Sequence, residues 1–197
     1  MTKDTFSFES HVANERTHLS QVRRAFADAL EVQNLDPSLL NFLVVSCDYL
    51  IFALRRLIEQ DHVLHERLLP HVDTDNKEYQ TKLKKLDTGL ISMESFILKL
   101  EVAKIQLVES GLYGIGDFKK TANEFLKAFL SMLASNRHST YSLEKEVFKS
   151  DDWEAIACIS SESIELEKSL YHDVIISSPK GCNPKDYPPL GHQQAVE

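Results

Sequence analysis

Apolar residues return along this chain with a period near 3.6 rather than 2, which predicts helix after helix and no sheet. Phe8, Val12, Leu19, Val22, Phe26 and Ala29 mark one face of a helix over residues 7–33. The run Asn34-Leu35-Asp36-Pro37 ends it and starts the next: Asp36 is the N-cap, and Pro37 takes the first helical position, where its missing N–H costs nothing. That second helix is expected over 37–70, with a seam of Leu43, Cys47, Leu50, Leu54, Leu57, Asp61, Leu64 and Leu68. Leu83, Leu86, Leu90, Met93, Ile97, Leu100 and Leu107 predict a third over 77–109, broken by the three glycines of Ser110–Asp117. Asp117 is expected to cap a fourth helix over 118–149, built on Phe118, Ala122, Phe125, Phe129, Met132, Leu133, Leu143 and Val147. Asp151 and Glu154, at capping-box spacing, open a fifth over 152–176 that presents Trp153, Ile156, Ile164, Leu166, Leu170 and Val174.

Short loops between long amphipathic helices make antiparallel neighbours. The expected fold is all-α: an antiparallel up-down four-helix bundle over 37–176, with an additional N-terminal helical extension over 1–36. The Pro- and Gly-rich stretch 177–197 reads as a loose tail.

Charge and composition narrow the function classes. A net charge of −8 argues against nucleic acid or an anionic membrane as the main partner. No apolar run approaches the roughly 20 residues of a membrane span. Cys47, Cys158 and Cys182 lie far apart, as reduced thiols do in a cytoplasmic protein, and the N-terminus has no signal-peptide pattern. No GxSxG, P-loop or GxGxxG motif is present, and the glycine loop at 110–117 joins helix to helix. Catalysis is therefore not expected from the chain alone.

The densest polar cluster on a core helix is Gln60-Asp61-His62-Val63-Leu64-His65-Glu66. Asp61 occupies a seam position between Leu57 and Leu64, with His65 one turn on. A carboxylate beside imidazoles is how a helical bundle begins a metal site. The alternative is a carboxylate neutralised by Arg55, Arg56 or a histidine of another helix. ExxH occurs as Glu15–His18 and Glu59–His62, but not on the two helices where a ferritin-like di-iron centre needs it. Glu94 and Glu101, seven residues apart on the third helix, read as a solvated flank or as inward ligands. His138 projects away from the Phe129 face, whereas Glu144 lies closer to the core.

Two segments carry a family resemblance. Asp48–Val72 and Phe129–Ile156, with the helix that follows, are similar to the ligand helices of hemerythrin-like (HHE cation-binding) domains. The resemblance implies a four-helix bundle with non-haem iron, mono- or dinuclear, between its helices. It places one family histidine on His62, preceded by Asp61 where the family has Glu, and a later one on His138 with Glu144 or Glu146 nearby. Ser142 stands four residues after His138, where the family has Glu, and the third helix has no histidine. The implied metal set is Asp61, His62, His65, His138 and Glu144. Two functions from different classes are thus expected: a hemerythrin-like protein that binds or senses iron, or a metal-free helical interaction module. Apolar residues on more than one face of the first and third helices favour a homodimer.

Overall fold

The computed structural model describes residues 7–34, 36–72, 77–136, 141–157 and 160–189 of the 197-residue chain. The protein is all-α, with no strand among the described residues. Its helices are α1 (Phe8–Glu31), α2 (Pro37–Leu68), α3 (Lys77–Ser110), α4 (Ile115–Asn136), α5 (Tyr141–Val147), α6 (Ser150–Ala157) and α7 (Ser161–Ser177). Short 3-10 turns follow α2 at Leu69–His71, join α3 to α4 at Gly111–Gly114, and lie at Pro184–Asp186.

The helix starts follow from local chemistry. Asp36 Oδ1 accepts the Leu39 backbone N–H at 2.9 Å and the Ser38 hydroxyl at 2.6 Å, satisfying donors that the first turn would otherwise leave open. Those bonds, the Ser38 one first, hold its carboxyl below the usual carboxylate range. α4 starts at Ile115, before the expected cap, so Asp117 sits inside its first turn. Gly111 takes φ +59°, the left-handed conformation that lets the chain leave α3 and turn at once into α4.

Two expected helices are divided. The stretch expected as 118–149 is α4 and α5, with residues 137–140 between them outside the described residues. The stretch expected as 152–176 is α6 and α7; residues 158 and 159 are not described, and Ser160 with Ser163 forms a reciprocal capping box on α7. At α6 the carboxylate that meets the preceding backbone belongs to Asp152, which accepts the Lys149 N–H at 2.9 Å.

α2 is the central helix, with α1, α3, α6 and α7 all packed on it. Its run of apolar residues is explained by that position: Phe42, Leu43, Tyr49, Leu50 and Leu54 are fully buried. α1 runs antiparallel to α2, bringing Val12 to Leu64 and Leu68 in a small end cluster closed by Ile156 and Ala157 of α6. α3 returns antiparallel to α2, pairing Arg55 with Glu101 and Lys104 with Asp48. α4 packs along α3 and reaches α1, where the Phe26 and Phe118 rings meet edge to face. Phe26, Val22, Ala25 and Ala29 are fully buried, so α1, expected as an extension, shares one core with α2, α3 and α4.

The residues after α7, expected as loose, are tied to α1 as far as they are described. Gln21 Nε2 donates to the Tyr187 carbonyl at 2.8 Å, and the Tyr187 hydroxyl donates to Asp28. Cys182 is buried under this segment, and Cys47 lies in the core; burial pushes both thiols up. Cys158 and residues 190–197 lie outside the described residues.

Candidate functional site

Polar groups enter the interior where α1, α2 and α7 meet, and the buried carboxylates of Glu15 and Glu167 there are each matched to donors from other helices. Glu15 of α1 is buried against α2. Arg56 donates Nε to its Oε1 at 3.0 Å and Nη2 to its Oε2 at 3.3 Å, and Gln60 Nε2 donates to Oε2 at 2.6 Å. His11 Nε2 lies 3.3 Å from Oε1, one turn back on α1. The Arg56 Nη2 also donates to the Ala157 carbonyl at 2.8 Å, which ties α6 to the same point. A forked guanidinium on a carboxylate is the strong, geometrically fixed form of an ion pair.

A second cluster lies further along α1. Glu167 of α7 is buried, and its Oε1 receives the Tyr49 hydroxyl at 3.0 Å and meets His18 Nδ1 at 2.9 Å. The His18 ring stacks on Tyr171 with centroids 3.9 Å apart, and the Tyr171 hydroxyl donates to Gln21 Oε1 at 2.8 Å. Burial first, then the neighbouring Glu167 charge, pushes both the Tyr49 and the Tyr171 phenols up, so both stay protonated as donors. Glu15, Tyr49, Arg56, Gln60 and Glu167 share the wall of a cavity of about 10 Å³, room for about one water.

The expected metal residues lie beside these clusters. Asp61 is mostly buried, and its Oδ1 accepts from Arg16 Nη2 of α1 at 3.3 Å. Burial pushes its carboxyl up to about 6 against the pull of Arg16; Glu144 adds to the rise and His62 opposes it. Glu144 of α5 is itself buried. Glu144 and His62 are thus each within electrostatic reach of Asp61, although His62 is exposed. His65 is half-buried one turn along, and His138 lies outside the described residues. Glu94 is exposed, and Glu101 accepts from Arg55 at 2.9 Å. Among the described residues no three His, Cys, Asp or Glu side chains converge as a metal-binding group.

Sequence reasoning missed Glu167, Tyr49, Tyr171 and Gln21, and it placed Leu166 rather than Glu167 on the inner face of its helix. In the structure Leu166 is 48% exposed and Glu167 only 4%. A readable signal existed: Glu167, Tyr171 and Val174 stand at helical spacing, and Val174 is fully buried. Chemically, the interior carboxylates are engaged by protein donors on several sides, an arrangement that fixes helix positions.

One surface feature stands apart from the interior network. Ile91, Leu98, Val102, Ile105 and Val108 of α3 are each at least half exposed, on a helix whose other face buries Leu90, Met93, Ile97, Leu100 and Leu107. A contiguous apolar stripe in water marks an interaction site more often than chance exposure does. No family model matches the chain, and no curated protein or solved structure is significantly similar to it.

Proposed function

We propose that this chain acts as a helical interaction module whose working surface is the outer face of α3. The observation that supports this most is the apolar stripe from Ile91 to Val108, turned away from the protein's own core. The interior network is compatible with it: pairing Glu15 with Arg56 and Glu167 with Tyr49 and His18 ties α1 and α7 to α2, the helix on which α3 packs. The test is a photo-cross-linking amino acid at position 102, in cells that make the chain natively. Discrete adducts that disappear when Leu98 and Ile105 become serine are the expected result. An adduct pattern indistinguishable from that of a probe at exposed Glu124 on α4 would remove the reading.

A second reading, a hemerythrin-like bundle holding iron, is favoured by the Glu144 and His62 charges that reach the buried Asp61. This mixed nitrogen and oxygen set suits iron or manganese better than zinc. Arg16 already engages Asp61, so a bound metal ion would have to displace its guanidinium. Bound iron would supply redox chemistry, while the chain would orient its ligands through α1. Metal analysis after purification without chelator, compared with His62→Ala, tests it. Metal lost in the variant supports the reading; equal content, or none in either, ends it.

A further inference from the structure

Resting on α3 as the working surface, we propose that its occupant is a basic amphipathic helix of another protein, laid along Ile91–Val108. At 100° per residue Ile91, Leu98, Val102 and Ile105 fall within an arc of about 60°. Their side chains are 66%, 58%, 53% and 50% exposed. Ile91, Leu98 and Ile105 recur every seventh residue, the spacing at which one helix receives the side chains of another. From Ile91 to Val108 the stripe is roughly 26 Å long at 1.5 Å per residue, so it suits a helix of about five turns.

Charge selects the partner's chemistry. Glu94 and Glu109 are exposed along the stripe, and Glu101 lies at its edge. Of the nearby cations, Arg55 is engaged by Glu101 and Lys104 by Asp48, and Lys99 sits over the Phe96 ring. In a two-fold antiparallel pairing of two copies, the edge that carries Glu94 would face the same edge of the other molecule, with Glu101 already neutralised by Arg55. Each copy also carries a net charge of −8. Like charges brought together across an interface disfavour that pairing, whereas Lys or Arg flanking an apolar seam complements it.

The test uses the full chain and three synthetic three-heptad peptides with Leu at positions a and d. One carries Lys at e and g, one carries Glu there, and the third is a scramble of the Lys peptide. Fluorescence anisotropy should show the Lys peptide binding at least tenfold more tightly than either control. Glu94→Lys/Glu109→Lys and Leu98→Ser/Ile105→Ser should each weaken it at least tenfold, with circular dichroism unchanged. Equal binding of the Lys peptide and its scramble overturns the proposal, because bare electrostatics would then suffice. A monomer–dimer equilibrium at tens of micromolar, abolished by Ile105→Ser, also overturns it and makes a second copy the occupant, while the surface reading stands. Binding of no peptide by a chain that stays monomeric overturns it too, and the cross-link at 102 decides separately whether the surface reading falls with it.

Discussion

Arg55 and Arg56 are adjacent on α2, each on a glutamate of a neighbouring helix, and they should differ severalfold in what their loss costs. Arg56 is 7% exposed and Glu15 9%; removing the guanidinium by Arg56→Met deletes two bonds to Glu15 and one to the Ala157 carbonyl. It leaves a buried carboxylate hydrogen-bonded by Gln60, with His11 Nε2 3.3 Å away. Breaking a buried pair by removing one partner costs about 3–5 kcal/mol, and the bonds that remain place this case near 3. The Arg55 side chain is 50% exposed, and its 2.9 Å pair with Glu101 is worth about 0–1 kcal/mol in water. Replacing both Glu15 and Arg56 by methionine removes both charges, so the double variant should lie within about 1–2 kcal/mol of the parent. The coupling energy from the cycle is then about 2 kcal/mol or more. Urea unfolding followed by far-ultraviolet circular dichroism measures all four, as midpoint shifts at constant slope. If Arg56→Met costs no more than Arg55→Met, the pair does not organise this interior.

Other consequences can be measured in the same way. Asp61, with its carboxyl raised from 3.8 to about 6, contributes stability that is fully present below about pH 4 and lost as pH rises through 6. Asp61→Asn should therefore gain on the parent by up to about 3 kcal/mol between pH 4 and pH 8, at 1.36 kcal/mol per unit; parallel pH profiles would refute this. Gly111→Ala meets no atom within 4 Å, so its cost is purely that of φ +59°, about 1 kcal/mol, read as a fall of a few degrees in Tm. Ile97→Ala should cost about 2–5 kcal/mol and its neighbour Leu98→Ser about 0.5 or less, because one is 1% exposed and the other 58%. Equal losses would mean that α3 is rotated from the placement described.

What could be read from the sequence was local. Asp36-Pro37 announced the start of α2 because cap and ring constraint both act within four residues. The glycine break after α3 was legible for the same reason. The partners of buried charges were not. As the alternative to a metal site, Asp61 was expected to find Arg55, Arg56 or a histidine of another helix, but it takes Arg16, 45 positions away, and Arg56 turns to Glu15. In α7 the hydrophobic pattern misled because Glu167 is inside and Leu166 outside, an inversion that makes sense only once Tyr49 and His18 supply donors from two other helices. α1 was read as an extension because amphipathicity tells that a face is covered, not by what. Of the expected ligands, Glu144 and His62 act electrostatically on Asp61 without converging as a metal-binding group, and Asp61 is coupled to an arginine that no spacing rule pointed to.

The bond from Tyr49 to Glu167 spans 118 residues, and that from His18 to Glu167 spans 149. On the ribosome, α1 and α2 are therefore finished long before the carboxylate that completes their interior has been made. Until α7 emerges, the nascent chain must hold a buried-to-be phenol and imidazole without their acceptor, and water serves them in the meantime. The apolar core of α1–α4 and the Glu15–Arg56 pair need no part of α7, so the late closure concerns only this polar corner of the interior, and its sequence separation makes it slow compared with helix formation itself.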